Sequence, residues 1–176
     1  MDPLAHLVIA LGMALLLLSA AVHKLTDFTG FSRILADYEV MPLWLVATAA
    51  RAVVVFEVIL GVAWLVQFTP VSVVGGTVLL LASYTGAITL NLMRGRVHIS
   101  CGCGGNDGQP LSWWMLPRNL FLITAAMSAI LPVTDRSLGW ADALLATATL
   151  LMLVLIHVAV TQLLANSAAI RVWRAA

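Results

Sequence analysis

Five long apolar runs dominate the pattern of hydrophobic and polar positions along the chain. They lie at residues 4–22, 43–68, 71–93, 115–133 and 141–164. A helix needs about 20 consecutive apolar residues to cross a bilayer, and lipid offers no partner to an unpaired backbone group. The pattern therefore predicts about five transmembrane α-helices. We expect a single all-α integral membrane domain over residues 1–176, with no separate soluble domain.

The segment 23–42, between the first two runs, has a different pattern. Its apolar residues recur at steps of three and four, and charged residues such as Lys24 and Arg33 take the other positions. This period is typical of an amphipathic helix lying along a membrane surface. The apolar positions are Leu25, Phe28, Phe31, Ile34, Leu35 and Tyr38.

Composition supports a membrane protein. The chain is 62% hydrophobic and 10% charged, with a mean hydropathy of +1.03, well outside the range of soluble domains. The net charge of +1 leaves no basic face for nucleic acid. The first run begins with Met1-Asp2-Pro3, which is acidic, and no small-residue cleavage site precedes His23. We therefore expect a retained span rather than a signal peptide.

The linker 94–114 is rich in glycine and polar residues and carries the two cysteines of the chain, Cys101 and Cys103. A disulfide across one residue closes a very small ring, which adds little stability and should be a strained, oxidising bond. Nearby cations such as His98 and Arg118 would favour the thiolate. Redox exchange is the favoured interpretation, while soft-metal binding by His98, Cys101 and Cys103 and an inert role remain open.

Polar residues in the spans lie mostly toward the face that carries this Cys loop. Ionisable groups within lipid usually face a bundle interior or a cavity, so we expect one polar pocket beneath the loop, holding an electron acceptor such as a quinone. The candidate catalytic residues are Cys101, Cys103, Arg118 and His98. The candidate cofactor-binding residues are His23, Arg51, Glu57, Trp113, Trp114, Asn119 and His157.

Structural roles compete with these assignments. Glu57 could form an interhelical lock with Arg118, or with Arg51 through a third group. Trp113 and Trp114 could instead belong to the belt of aromatic residues that lies at the membrane interface. A packed, hydrogen-bonded role is the alternative for His157.

The chain resembles the methylamine utilisation protein MauE family, which is related to DoxX-like membrane bundles. The resemblance rests on Leu18–Tyr38, on Arg51 and Glu57 followed by Gly61, and on Ser100–Leu122. The family's Cys-Gly-Cys-Phe-Gly loop, Ser-Trp segment and Arg-Asn pair are matched here by Cys101, Cys103, Gly105, Ser112, Trp113, Arg118 and Asn119. Gly104 stands where the family usually has an aromatic residue.

The resemblance implies a role in maturing methylamine dehydrogenase, whose small subunit is rich in disulfides, together with a thioredoxin-like partner, MauD. It also implies a multi-pass protein of the bacterial inner membrane. The architecture is similar to the four-helix membrane oxidases of the DsbB and vitamin K epoxide reductase type, which pass electrons to a quinone; this is an analogy of architecture. We therefore expect a thiol–disulfide oxidoreductase. A soft-metal carrier and a non-catalytic anchor for a thioredoxin-like protein are the alternatives.

Two arguments disagree on the side of the membrane that carries the Cys loop. Five spans place the first loop, the Cys loop and the C-terminus on one face, with six Lys and Arg residues against Arg136 alone on the other. The positive-inside rule then predicts a cytoplasmic Cys loop. The family's expected substrates mature in the oxidising compartment, and on this resemblance we favour the extracytoplasmic side.

Overall fold

The structure, a computed structural model, describes residues 1–67, 71–97, 99–100 and 111–175, with 157, 161 and 164–175 described by their backbone alone. These residues form six α-helices: α1 Pro3–Thr26, α2 Phe28–Asp37, α3 Leu43–Leu65, α4 Val71–Met93, α5 Met115–Ser128 and α6 Trp140–Ala175. Four helices, α1, α3, α4 and the part Trp140–Val160 of α6, are long and apolar enough to cross a membrane. The prediction of an all-α membrane bundle is confirmed.

Helix α5 is shorter than the span predicted for residues 115–133. It has 14 residues and ends at Ser128, so it rises about 21 Å, less than the roughly 30 Å of a bilayer core. The chain leaves the helix through turns ahead of Pro132, a residue that cannot donate a backbone hydrogen bond to continue it. Helix α5 packs along α4 and buries Met115, Asn119 and Ala126.

Contacts at the start of α1 show that α5 still carries the chain from one end of the bundle to the other. The amino group of Met1 donates to the carbonyl of Pro132, and the Thr134 amide donates to the Met1 carbonyl at 3.0 Å. Arg136 pairs with Asp2 at 3.3 Å and with Asp142 of α6 at 2.8 Å. The segment after α5 therefore lies beside the N-terminus, at the end opposite the Cys loop.

The predicted amphipathic segment divides between two helices. Residues 23–26 complete α1, and only α2 is a separate amphipathic helix. Asp27 separates them because its Oδ1 accepts from the Gly30 amide at 2.9 Å and caps α2. That hydrogen bond, followed by one from Thr29, holds the pKa of Asp27 below its usual value. Arg33 and Asp37 of α2 are exposed, while Ile34 packs against the bundle.

Small residues let α1 and α3 approach closely. A Cβ at Gly61 of α3 would lie 2.8 Å from the Leu18 Cγ and 3.3 Å from the Leu17 Cβ, so no larger side chain fits without movement. Nearby, Trp64 is fully buried and its Nε1 donates to Thr77 Oγ1 at 2.9 Å, joining α3 to α4. The main core therefore lies between α1, α3, α4 and α5.

A buried ion pair joins three helices within this bundle. Lys24 Nζ, near the end of α1, donates to Glu57 Oε1 of α3, and the two side chains are 4% and 1% exposed. The Tyr84 hydroxyl of α4 donates to the same oxygen at 2.7 Å. Glu57 therefore does join helices through an ion pair, but the predicted partners, Arg118 or Arg51, are wrong and the partner is Lys24. Lys24 reaches Glu57 because α1 continues through the residues that the pattern assigned to the surface segment.

Aromatic rings complete the environment of the Lys24 ammonium. The ring centroids of Phe31 in α2 and Tyr84 in α4 both lie 5.3 Å from Nζ. A cation at this distance from a ring face is attracted by the negative π-electron density. Lys24 therefore contacts side chains of α2, α3 and α4 at once.

Replacing one member of this ion pair should cost more stability than replacing both. Lys24→Met leaves the Glu57 carboxylate buried without its cation, and we expect a loss of about 3–5 kcal/mol in the free energy of unfolding. Lys24→Met combined with Glu57→Leu leaves no buried charge and should lose less than the single change. Thermal or denaturant unfolding of the purified protein in detergent measures both.

Arg33→Gln provides the control, since it removes an exposed cation of α2 and should have little effect. Glu57→Leu is also measured alone. A loss of unfolding free energy in the double variant that equals the sum of the losses in Lys24→Met and Glu57→Leu would contradict a coupled ion pair.

Candidate functional site

The two ends of the Cys loop are fixed to each other and to the bundle. The Leu111 amide donates to the Ile99 carbonyl at 3.1 Å, which brings the chain before Cys101 next to the chain after residue 110. Ile99 is 9% and Leu111 3% exposed. Both belong to a second apolar cluster, between α2, α4 and α5, whose other buried members are Tyr38, Ile88, Leu92 and Met115. Cys101 directly follows Ser100, so the segment with both cysteines starts from a base whose two ends are bonded and buried.

The turn between α2 and α3 is tied to the start of the Cys loop. Arg96 Nη2 pairs with Glu39 Oε2 at 2.6 Å, and Arg94 Nη1 donates to the Glu39 carbonyl at 3.4 Å. Below them, the buried Asn91 donates from Nδ2 to the Tyr38 carbonyl at 3.2 Å. The first loop and the Cys loop thus meet at one end of the bundle, as the connectivity of the spans predicted.

Glu39 holds an unusual backbone conformation in this turn. Its φ of 47° lies in the left-handed region, which non-glycine residues adopt rarely. Its carboxylate accepts the Arg96 hydrogen bond, and this guanidinium, with weaker help from Arg94, holds the pKa of Glu39 below its usual value. The same contact raises the pKa of Arg96. Both groups therefore stay charged at neutral pH.

A second polar group lies at the start of α5, directly after the Cys loop in the chain. Arg118 is half-buried and its Nη2 donates to Asn119 Oδ1 at 3.4 Å. Asn119 is 2% exposed and donates in turn to Thr85 Oγ1 of α4 at 3.2 Å. The Arg118 Nε is buried and has no hydrogen-bond partner among the described residues. Arg118 thus keeps a donor and a positive charge available to a group outside this network.

Six of the seven predicted cofactor-binding residues have described side chains, and these six do not share one environment. Glu57 and Asn119 are buried at separate places, Glu57 with Lys24 and Asn119 with Thr85. Four others are exposed: His23, Arg51, Trp113 and Trp114. The side chain of His157 lies outside the described part of the chain, as do Cys101, Cys103 and His98.

Three of the residues that organise this region were not candidates from the sequence alone. The sequence pattern places Lys24 in the surface segment and singles out neither Tyr84 nor Glu39 as a site residue. The only available signal was that Lys24 follows the first apolar run at a helical step from Leu17 and Ala21, both buried residues of α1.

The metal hypothesis depends on residues that the structure does not describe. Within the described ranges, no three His, Cys, Asp or Glu side chains gather as a metal site would require. His98, Cys101 and Cys103 all lie outside those ranges, so their use as ligands stays a hypothesis.

Comparisons with known proteins agree on one family. A family model described as methylamine utilisation protein MauE matches residues 2–132, which include α1 to α5. The methylamine utilization protein MauE of Methylophilus methylotrophus is 32% identical over 161 residues, covering 90% of this chain and 85% of that protein. Those of Methylorubrum extorquens and Paracoccus denitrificans are 30% identical, covering 81% and 72% of this chain and 81% and 69% of their own lengths. No solved structure matches the chain.

Arg96→Gln should lower the melting temperature slightly at neutral pH, because it breaks an exposed ion pair. The pKa of Glu39 is lower in the folded protein than its ordinary 4.5. The pair therefore contributes fully above about pH 4.5 and loses its contribution as the pH falls through the folded pKa. The melting temperatures of the two proteins should converge on acidification. A difference that grows toward low pH would contradict this assignment.

Proposed function

The chain belongs to the methylamine utilisation protein MauE family, and from this premise we propose that it is a membrane maturation factor for methylamine utilisation. Its chemistry is thiol–disulfide exchange between Cys101–Gly102–Cys103 and a thioredoxin-fold partner resembling MauD. The observation that carries the proposal is the anchored base of the Cys loop, where Ile99 and Leu111 are bonded and buried. Such a base can hold a short dithiol loop toward a partner at the end of the bundle.

The exchange consists of two thiolate attacks. A thiolate of the reduced partner attacks one sulfur of the Cys101–Cys103 disulfide, so that bond breaks, a mixed disulfide forms and the other cysteine leaves as a thiolate. The second thiolate of the partner then attacks the partner's own sulfur in the mixed disulfide. The partner closes its disulfide, losing two electrons, and the cysteine pair gains them. The reverse sequence would reduce the partner.

The reduced pair needs a two-electron acceptor, for which we propose a membrane quinone. Only part of the predicted pocket supports such a site. Trp113 and Trp114 are exposed beside the loop, and Arg118 carries a buried Nε that has no partner within the described part of the chain. Indole faces can stack on a quinone ring, and a guanidinium can donate to its carbonyl oxygen. Glu57 already pairs with Lys24 and His23 and Arg51 are exposed, so we leave these three out of the site.

Arg118 has a second role in this proposal. Helical side chains point toward the N-terminus of their helix, and the Cys loop precedes the N-terminus of α5. A positive charge near a thiol lowers its pKa and favours the reactive thiolate. We propose that Arg118 stabilises the attacking or leaving thiolate of the cysteine pair.

We place this protein in the bacterial inner membrane with the Cys loop on the extracytoplasmic side. Disulfides form and persist in that compartment. The charge count on the Cys-loop face included Lys24, which is buried and paired with Glu57 rather than free at the surface. This removes one of the cations that favoured a cytoplasmic loop.

Cys101→Ser and Cys103→Ser should each abolish oxidation of the thioredoxin-fold partner, because either change removes one sulfur of the exchanging pair. The redox state of the partner, followed by alkylation and gel shift in membranes, measures this. Thr124→Ala, on the exposed side of α5, is the control and should retain exchange. A partner that is still oxidised by both cysteine variants would favour a non-catalytic anchor. Stoichiometric Cu(I) binding lost in these variants, with unchanged partner oxidation, would favour a soft-metal carrier.

Arg118→Gln should slow the exchange near pH 7 while leaving the protein folded. Loss of the guanidinium charge raises the pKa of the reactive thiol, so the pH midpoint for its alkylation should rise by about one pH unit or more. The rate of maleimide or iodoacetamide reaction with the reduced protein, measured against pH, gives this midpoint. Arg33→Gln removes an exposed arginine of α2 and should leave the midpoint in place. Equal midpoints in wild type and Arg118→Gln would exclude the proposed role.

A further inference from the structure

Arg51 is an exposed cation within a membrane-spanning helix. It is the ninth of the 23 residues of α3 and lies about 12 Å along the helix from Leu43. The residues that follow on the same exposed side are apolar, among them Val55 and Phe56 at 54% and 57% exposure. A charged side chain facing lipid is costly, so Arg51 requires an anionic group or water within its reach.

The protein itself does not supply that group in the part of the chain that the structure describes. None of the ion pairs or hydrogen bonds formed there includes Arg51. Glu57 is the only acidic residue of α3, and it is 1% exposed and paired with Lys24. Among the described residues, none balances the charge of Arg51, so a group from outside these residues is needed.

The direction of the side chain indicates where the balancing group lies. Helical side chains tilt toward the helix N-terminus and cover the preceding turn, and α3 begins at the Cys-loop end of the bundle. Thr48 and Trp44 precede Arg51 by three and seven residues, lie on the same face and are exposed. Trp44, at 77% exposure two residues after Pro42, is placed where an interfacial indole sits among lipid headgroups. The guanidinium can thus extend along Thr48 toward the headgroup layer.

We propose that Arg51, with Thr48 and Trp44, binds the phosphate of an anionic phospholipid in the leaflet on the Cys-loop side. The planar guanidinium can donate two parallel hydrogen bonds to phosphate oxygens, and the Thr48 hydroxyl lies one turn away to donate a third. The Trp44 indole would pack beside the glycerol region. This site is separate from the proposed exchange chemistry, and it attaches the first turns of α3, next to the α2–α3 turn, to the lipid.

Lipid binding to the full-length protein tests this inference. The protein, purified in detergent, is titrated with phosphatidylglycerol, phosphatidylcholine or inorganic phosphate, and native mass spectrometry counts the bound lipids while thermal unfolding reports stabilisation. We expect wild type to prefer phosphatidylglycerol to phosphatidylcholine. Arg51→Met should weaken phosphatidylglycerol binding by at least about tenfold, because it removes the positive charge and the two parallel hydrogen-bond donors of the guanidinium. Methionine is chosen because an apolar side chain suits a lipid-exposed position. Inorganic phosphate should have no effect at comparable concentration.

Two further variants refine the test. Arg51→Lys keeps the positive charge but lacks the planar guanidinium with its paired donors. It should bind phosphatidylglycerol more weakly than wild type but more tightly than Arg51→Met. Arg33→Gln removes a charge from the exposed face of α2 and should keep wild-type binding; an equal loss in this control would overturn the site in favour of general charge attraction.

Four results would contradict the proposal directly. They are unchanged phosphatidylglycerol binding in Arg51→Met, equal stabilisation by inorganic phosphate, a change of oligomeric state in Arg51→Met that reveals a carboxylate from a second copy, and failure of Arg51→Met to fold. The last would show that Arg51 has a partner inside the protein.

Discussion

The buried pair between Lys24 and Glu57 is the interaction on which the arrangement of the bundle depends. Each charge would be costly alone in this interior, so the two helices that carry them must stay in register. Tyr84 donates to the same carboxylate from α4, and Phe31 of α2 faces the Lys24 ammonium. One buried cation therefore fixes four helices relative to each other. In lipid, where no general hydrophobic force holds helices together, such polar contacts supply specificity that apolar packing does not.

The same arrangement positions the two described ends of the Cys loop. With α2 held against the bundle by Phe31 and Ile34, the turn that follows α2 presents the Tyr38 carbonyl to Asn91 and the Glu39 carboxylate to Arg96. The first residues of the loop are therefore held by contacts with the α2–α3 turn, and its other end is fixed by the hydrogen bond from the Leu111 amide to the Ile99 carbonyl. A dithiol that exchanges with a protein partner needs access and a defined position. The anchored base and its location at the end of the bundle support the proposed exchange, which needs both.

Much of the fold could be predicted from hydropathy because lipid imposes a strong length requirement on each span. The prediction failed where burial depends on neighbours rather than on the helix itself. Helix α5 stops at Ser128 because it packs on α4 over a short length and the chain must then reach Met1. The pattern places Lys24 at the surface because a lysine at the end of an apolar run usually reaches the headgroups. Its pairing with Glu57 depends on the register between α1 and α3, which no local pattern encodes.

The candidate site was predictable in part. The proximity of the first loop and the Cys loop follows from the connectivity of the spans, and the contact between Arg96 and Glu39 agrees with it. The described members of the predicted polar pocket do not all face the bundle interior, because the depth of a residue in the membrane does not determine which side of its helix it lies on. Arg51 and Glu57 are six residues apart on α3, and one is exposed while the other is buried.

Thiol trapping in intact cells with a membrane-impermeant maleimide tests the central claim most directly. Thiol–disulfide exchange at the outer face predicts a Cys101–Cys103 pair that is labelled only after reduction, in cells that have not been permeabilised. A pair that is fully reduced under all conditions and labelled only after permeabilisation would contradict both the proposed chemistry and its side of the membrane.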